Sequence, residues 1–275
     1  MAGKLYVVGT PIGNLSDFSP RAIETLQTVD FIAAEDTRVT VNLLNHFGIK
    51  KPMISYYEHN KTGRGNDIID RLIAGENCAI VSDAGMPAIS DPGEDLVRLC
   101  HQNSIAVESV PGPSALTTAL AIAGMKTGRF CFEGFLSVNK PSRKSHLEEL
   151  KYEARTMVFY EAPHKLISTL SDMRECFGER NIALVRELTK LHEQVIHTNF
   201  SEAIRMYTEE KSPKGEYVLI VEGYEGNEER SYTLEDAVKI AKEYISDGNS
   251  ASTAAKMAAA DTGIKKSEIY RLLNY

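Results

Sequence analysis

Glu35-Asp36-Thr37-Arg38 follows directly on an apolar run at residues 31–34. Carboxylates at such a junction can accept a proton or position a hydroxyl, and a neighbouring guanidinium can hold a phosphate or brace an acid. A further carboxylate, Asp83, stands near the start of the stretch Ser82-Asp83-Ala84-Gly85-Met86-Pro87-Ala88-Ile89-Ser90-Asp91-Pro92-Gly93. Its two glycines, two prolines and two aspartates exceed what a turn needs. A stiff, non-helical loop of this kind can present backbone N–H and C=O groups to a flat heterocycle or an amino-acid head. Two shorter stretches are similar in kind. Gly9-Thr10-Pro11-Ile12-Gly13-Asn14-Leu15 allows close approach through its glycines while Pro11 stiffens it. Pro111-Gly112-Pro113-Ser114-Ala115 puts small residues where a helix opens, a place suited to a carboxylate. None of these is G-x-G-x-x-G or a phosphate loop ending in Gly-Lys-Ser/Thr. Singly, a turn accounts for the first loop and a structural ion pair for Asp36 and Arg38. Together the four form a ligand-site constellation.

Loops act together only if a frame brings them to one edge. Residues 5–8, 31–34, 78–81 and 106–110 read as short strands, and 21–28, 40–47, 66–74, 94–102 and 114–124 as helices. Alternation of this kind predicts βαβ units and a mostly parallel sheet, with ligands outside the carboxyl ends of its strands. The fold class expected is therefore α/β. The glycine-bracketed stretch 124–128 ends a first α/β domain, 1–124, which carries the four loops. Candidate strands at 130–133, 156–160, 182–185 and 217–221, with helices at 142–153 and 163–176, give a second α/β domain, 125–225. After the polar residues 225–231, three short helices at 233–246, 252–260 and 267–273 make a C-terminal helical segment, 231–275. Its last two helices, joined through Gly263, have the pattern of a helix-turn-helix or of a plain helical appendage.

Composition narrows the classes. At 275 residues the chain has room for two domains, and 43% hydrophobic with 25% charged residues is ordinary for a soluble protein. The longest apolar runs are far too short to span a bilayer, and the first residues lack the pattern of a secretory signal, so a cytoplasmic protein is expected. The four cysteines and seven histidines are dispersed without ligand spacing, so no metal is expected. A net charge of −7 argues against coating nucleic acid through global electrostatics but leaves room for a local basic face.

The longer phrases resemble the tetrapyrrole methylase superfamily and, within it, the ribosomal RNA small subunit methyltransferase I family. They are VGTPIGNLSD at 8–17, AAEDTR at 33–38, VSDAGMPAISDPG at 81–93 and PGPSALTTAL at 111–120. FEGFL at 132–136, FYEAPH at 159–164, RELTK at 186–190 and KGEYVLIV at 214–221 follow in order. Met86 and Ala162 stand where that family more often has Thr and Ser, and Lys61 replaces an acidic residue. The resemblance implies two α/β domains with S-adenosylmethionine held in the cleft between them, and a helix-turn-helix-like extension after them. It implies 2′-O-methylation of a cytidine in the decoding region of 16S rRNA, within the small ribosomal subunit, by a homodimer. It also implies donor contacts from Thr10, Pro11, Ile12, Gly85, Met86, Pro87, Ile89, Ser114 and Ala115. Across the cleft the implied contacts are Tyr160, Glu161, Ala162, Arg186, Glu187 and Gly215.

Methyl transfer to a ribose hydroxyl is an in-line displacement that needs orientation and a base or charge stabilisation. Glu35, Asp36 and Asp83 are the candidates for base or substrate positioning; Arg38, Arg186 and Lys190 for phosphate contact or stabilisation of the oxyanion. The bland alternative is that Asp36–Arg38 and Glu187–Lys190 merely pair and brace their loops. RNA is expected on a local face bearing Lys140, Arg143 and Lys144, extended by Lys265 and Lys266, with Lys165 and Arg155 nearby. Two other functions fit some of these features: methylation of a small molecule such as a tetrapyrrole precursor, and ligand-responsive nucleic-acid binding without catalysis.

Overall fold

The computed structural model describes residues 2–58, 60–91, 93–210, 212–226 and 233–273. Pro92 and the stretch 227–231, parts of a loop and a linker singled out above, lie outside the described residues. The chain divides into two compact units, Met1–Tyr224 and Glu225–Tyr275.

The first unit begins with a strictly alternating run: β1 (Lys4–Val8), α1 (Pro20–Thr28), β2 (Phe31–Ala34), α2 (Thr37–His46), β3 (Met53–Ser55), α3 (Lys61–Ile73), β4 (Cys78–Val81), α4 (Gly93–Gln102), β5 (Ala106–Val110) and α5 (Ala115–Ile122). The five strands lie in the order β3-β2-β4-β1-β5, all parallel. Every residue of β2 and β4 is buried, which is why both read as unbroken apolar runs: a parallel sheet is covered on both faces. On one face Ile68, Leu72, Leu96 and Cys100 pack on Leu5, Phe31 and Ile80. On the other, Ala22, Leu26 and Leu44 pack on Val8, Ile32 and Ala79. Ser19 caps α1 through Ala22 N, with Pro20 at the first helical position. β2 leads outward to β3, while its neighbour β4 leads the other way to β5. That divergence is a topological switch point, and it puts the crevice at the carboxyl ends of β2 and β4.

The second sheet follows from β6 (Phe130–Phe135), α6 (Lys140–Leu150), β7 (Thr156–Glu161), α7 (Leu166–Phe177), β8 (Asn181–Arg186), β9 (Gln194–Asn199), α8 (Phe200–Arg205) and β10 (Tyr217–Val221). Its order is β6-β7-β10-β8-β9, with only β6 and β7 parallel. Leu147, Leu166, Leu170 and Phe200 from its helices cover one face. The other face packs Val158, Ala183, Val185, Val218 and Ile220 against Ala119 and Leu120 of α5, Ala123 just after it, and Ile12. Residues 124–128 therefore link the second sheet to a helix that follows the first sheet but packs on the second.

β3 and β9 did not show in the sequence pattern. β3 is a three-residue edge strand held by its pairing with β2. β9 is the opposite sheet's edge, partly exposed and polar, and is set by its antiparallel register with β8.

In the second unit α9 (Leu234–Ser246), α10 (Ala251–Thr262) and α11 (Lys266–Leu273) pack through Ala237, Ala241, Ala255, Ala258 and Ile269. Thr233 and Asp236 form a capping box on α9, Ser250 caps α10, and Gly263 ends α10 in the left-handed region (φ 70°). Among the described residues no helix is long and apolar enough to cross a membrane.

Candidate active site

The loops at the carboxyl ends of β1, β4 and β5 are fastened to one another. Thr10 N donates to the Gly85 carbonyl at 2.9 Å and Gly85 N returns a bond to Thr10 O at 3.2 Å. The Thr10 hydroxyl is buried against the carbonyls of Ser82 and Gly85, at 3.2 and 3.3 Å. Gly9 lies so close to Gly112 that an added Cβ would stand 2.7 Å from the Gly112 Cα. The Met86 sulfur covers the same spot and accepts from Gly112 N at 3.3 Å.

The loop after β4 holds an unusual shape. Gly85 (φ 88°), Ala88 (φ 67°) and Ser90 (φ 64°) are all left-handed, and the last two carry the steric cost of a side chain there. Asp91 fixes the loop by accepting from Ala88 N and Gly93 N, both at 2.8 Å. The result is a set of backbone groups presented in one conformation.

Across the cleft stands the end of β7. The Tyr160 hydroxyl accepts from Leu116 N at 3.0 Å, tying the second sheet to the first turn of α5. Glu161 is only 4% exposed and braces its own loop, accepting from Ala162 N at 2.8 Å and the Thr169 hydroxyl at 2.5 Å. The loop after β8 is braced in the same way. The Glu187 carboxylate accepts from Glu216 N at 3.1 Å and from Lys190 at 3.0 Å, and Lys190 also reaches Glu216 at 2.9 Å. A Cβ on Gly215 (φ 80°) would overlap that Glu187 carboxylate. Gly13 touches this brace, with Lys190 Cγ 2.7 Å from where a Cβ would be.

These walls enclose a cavity of about 590 Å³, inside the range of roughly 300–1,000 Å³ common for small-molecule sites. Of the residues singled out in the sequence, Ile12, Glu35, Asp83, Gly85, Met86, Ile89, Ser114, Ala115, Tyr160, Glu161 and Ala162 line it. Thr10 sits behind the wall as a fastener. Pro11 and Pro87 are not part of the lining; Glu187, Lys190 and Gly215 belong to the brace described above, and Arg186 donates to the Gln194 side chain at 3.3 Å. Lining residues that carried no expected role include Ser90, Asp91, Phe135, His164, Leu188 and Tyr217.

Several charged candidates are engaged elsewhere. Asp36 caps α2, accepting from Arg38 N at 2.8 Å, and its carboxylate meets the Arg38 guanidinium at 2.6 Å. That pairing holds Asp36 down at about 2, chiefly through the side-chain bond to Arg38, which suits a fixed anion and not a base. Arg38 points outward, with its side chain 88% exposed. Arg143, expected on an RNA face, is buried in an ion pair with Asp172 at 2.7 Å and donates to the carbonyls of Ser137 and Val138. It is a structural residue, a role its spacing could not reveal because Asp172 is 29 residues away. Lys144 pairs with Glu175 at 2.6 Å, and Lys61 bridges Glu58 and Asp95 at 2.7 Å each.

Glu35 and Asp83 remain at the switch point, facing the cavity. Burial and then the charge of Asp83 push the Glu35 carboxyl up, and burial raises Asp83 as well. Asp83 is positioned by accepting from Asp36 N at 3.0 Å. Two carboxylates beside a cavity, each shifted toward neutrality, can take up a proton that a more acidic group would refuse.

Known proteins share this architecture. Residues 4–204 match the family profile described as Tetrapyrrole (Corrin/Porphyrin) Methylases. A Synechocystis protein named Ribosomal RNA small subunit methyltransferase I is 46% identical over 98% of this chain and 97% of its own. The protein of the same name from Bacillus subtilis is 45% identical over 98% and 93%. The chain belongs to the ribosomal RNA small subunit methyltransferase I family. It is thus a methyltransferase of the tetrapyrrole methylase fold whose methyl donor is S-adenosylmethionine. A solved structure of Thermus thermophilus uroporphyrin-III C-methyltransferase, complexed with S-adenosyl homocysteine, superimposes with a TM-score of 0.56 at 14% identity. It covers 80% of this chain and 97% of its own, a likeness of fold. The cavity suits such a donor: it is large enough, and Gly85 in its lining holds the left-handed backbone (φ 88°) that presents main-chain groups there. Ser114, which opens α5, makes no side-chain capping bond of its own.

Proposed function

We propose that this methyltransferase acts on the 2′-hydroxyl of a cytidine in the decoding region of 16S rRNA, within the small ribosomal subunit, as a cytoplasmic homodimer. The observation that carries the reading is the Glu35–Asp83 pair in the lining of a nucleoside-sized cavity. The names of the full-length relatives give the substrate class.

In this reading the fastened loops hold the donor: Thr10, Pro11 and Ile12 from β1, Gly85, Met86, Pro87 and Ile89 from β4, and Ser114 and Ala115 at α5. Tyr160, Glu161 and Ala162 close the other side, and Arg186, Glu187 and Gly215 keep that side in place. When bound, S-adenosylmethionine supplies a methyl group carried on a sulfonium. Glu35 takes the proton of the attacking hydroxyl, and Asp83 orients that hydroxyl and keeps Glu35 raised. The rigid loops contribute orientation, which an in-line displacement requires. Lys140, Lys144, Lys265 and Lys266 are the proposed phosphate contacts, which position RNA without reading its sequence.

The test is transfer of tritiated methyl from S-adenosylmethionine onto 30S subunits from cells lacking the enzyme, with free rRNA and porphyrinogens as parallel substrates. Label on a single 16S cytidine ribose is the expected result. Label on a porphyrinogen and none on RNA would overturn the reading while leaving the fold and donor cavity intact.

A further inference from the structure

The first residues of β6 pair regularly with β7, Phe132 opposite Val158; the register then shifts so that Gly134 faces Phe159 and Phe135 faces Tyr160. Glu133 is the extra residue of a β-bulge. In an unbroken strand, residues three apart point to opposite faces. The bulge cancels one alternation, so Phe132 and Phe135 both fall on the side of Tyr160. Their rings meet it at 4.9 and 5.5 Å. Gly134 makes the shift possible by adopting φ 63°, and it backs onto the Ser90 hydroxyl, 3.1 Å from where a Cβ would stand. Phe132 packs into the core shared with α5. Phe135 does not: it lines the cavity yet is 59% exposed, and Ile89, on the facing loop, lines it at 50% exposure.

An aromatic ring turned into a cleft by a bulge, and left uncovered by the other described residues of its unit, has the form of a stacking platform. We infer that Phe135, with Ile89 opposite, stacks the nucleobase of the substrate nucleotide, which enters the cleft flipped out of its RNA helix. The inference rests on the rRNA reading above. A ribose hydroxyl can reach Glu35 and Asp83 inside the cavity only if its nucleotide leaves the neighbouring stack, and an extruded base needs a new stacking partner. Proteins that bind unstacked RNA bases supply an aromatic ring for this purpose. Among the residues assigned to the donor, Thr10 and Ile12 are already buried by the protein, whereas Phe135 is exposed, as is Ile89 farther along the loop after β4, where donor and base would adjoin. Tyr160 fixes the orientation of the platform, since its own hydroxyl is tied to Leu116 N.

The experiment compares the full-length enzyme with Phe135→Ala, Phe135→Leu and Phe135→Tyr. Three quantities are read: kcat and KM for 30S subunits, the affinity for S-adenosylmethionine by calorimetry, and the fluorescence of pyrrolo-cytidine placed at the target position of a decoding-region RNA. The expected result is a rise in KM for the subunit of roughly 5- to 150-fold in the Ala variant, the range of one lost base–aromatic stack. The Leu variant behaves alike because it keeps apolar bulk without the ring; the Tyr variant is near wild type. Quenching of the probe on binding is lost in Ala and Leu, while donor affinity is unchanged in all three. An unaltered KM and quench in the Ala and Leu variants would overturn the inference. So would a parallel loss of donor affinity, which would assign the ring to the adenine of the donor. A wild-type enzyme that labels no RNA refutes the rRNA reading, and this inference falls with it.

Discussion

Replacing Arg143 with methionine is expected to loosen the second sheet and its helices while leaving the intrinsic affinity for RNA alone. Arg143 and Asp172 expose only 11% and 9% of their side chains. The guanidinium gives Asp172 one bond through Nε at 2.7 Å, with Nη2 at the same distance. It also donates through Nη1 to Ser137 O at 3.0 Å and Val138 O at 3.3 Å. Those two carbonyls belong to exposed residues and can turn to water. The Asp172 carboxylate cannot, and removing one partner of a buried pair costs about 3–5 kcal/mol. For a unit of this size each kcal/mol moves Tm by about 2–4 °C, so the midpoint should fall by about 6–20 °C. The assay is thermal unfolding followed by circular dichroism, with Arg143→Met/Asp172→Leu beside the single variant. An apolar pair removes the stranded charge, and the double variant should recover most of the loss. Lys140→Glu, at an exposed position, should leave Tm within about 1 °C and lower the salt slope of RNA binding by about one. An Arg143→Met enzyme that melts with the wild type but binds RNA weakly would refute this assignment and return the cation to the RNA face.

Two further outcomes follow from the site. Glu35 is raised above its ordinary 4.5 by burial and by Asp83. A raised carboxyl stabilises the fold fully below its unfolded value, and that contribution is lost as pH climbs through the folded one. Glu35→Gln should therefore raise Tm at pH 7–8, with the gain vanishing in acid below about 4.5, and should cut turnover by about 10²- to 10⁴-fold. Full turnover in that variant would remove Glu35 as the base. Gly9→Ala would drive a methyl into the Gly112 backbone, 2.7 Å away at Cα, where no side chain can yield. A loss of about 1–3 kcal/mol in urea unfolding and weaker donor binding by calorimetry are expected; an alanine enzyme unchanged in both would mean that the two loops need not touch.

The parts legible in the sequence are those whose cause is local. β2 and β4 show as unbroken apolar runs because both their faces are covered, and the loops after β1, β4 and β5 show through their glycines and prolines. The parts that were not legible depend on partners distant in the chain. Nothing near Arg143 points to Asp172. The polar pattern of β9 becomes a strand only beside β8. Phe135 looks like any strand phenylalanine until the register shift turns it, and Gly134 is the sole local trace of that shift. Asp36 is instructive in another way: its spacing from Arg38 allowed catalysis or a structural ion pair. The structure shows that pair together with a capping bond from Arg38 N that the sequence-based expectations do not include.

α5 follows the last strand of the first sheet, yet its buried side joins the core of the second. Neither half is therefore a self-sufficient module. A fragment ending near residue 124 would carry a bare apolar helix, and one beginning there would lack its cover. The unit Met1–Tyr224 is therefore expected to melt as one cooperative block. Substitutions at exposed positions such as Ile89 and Phe135, by contrast, leave that interlock untouched, because neither belongs to the shared core.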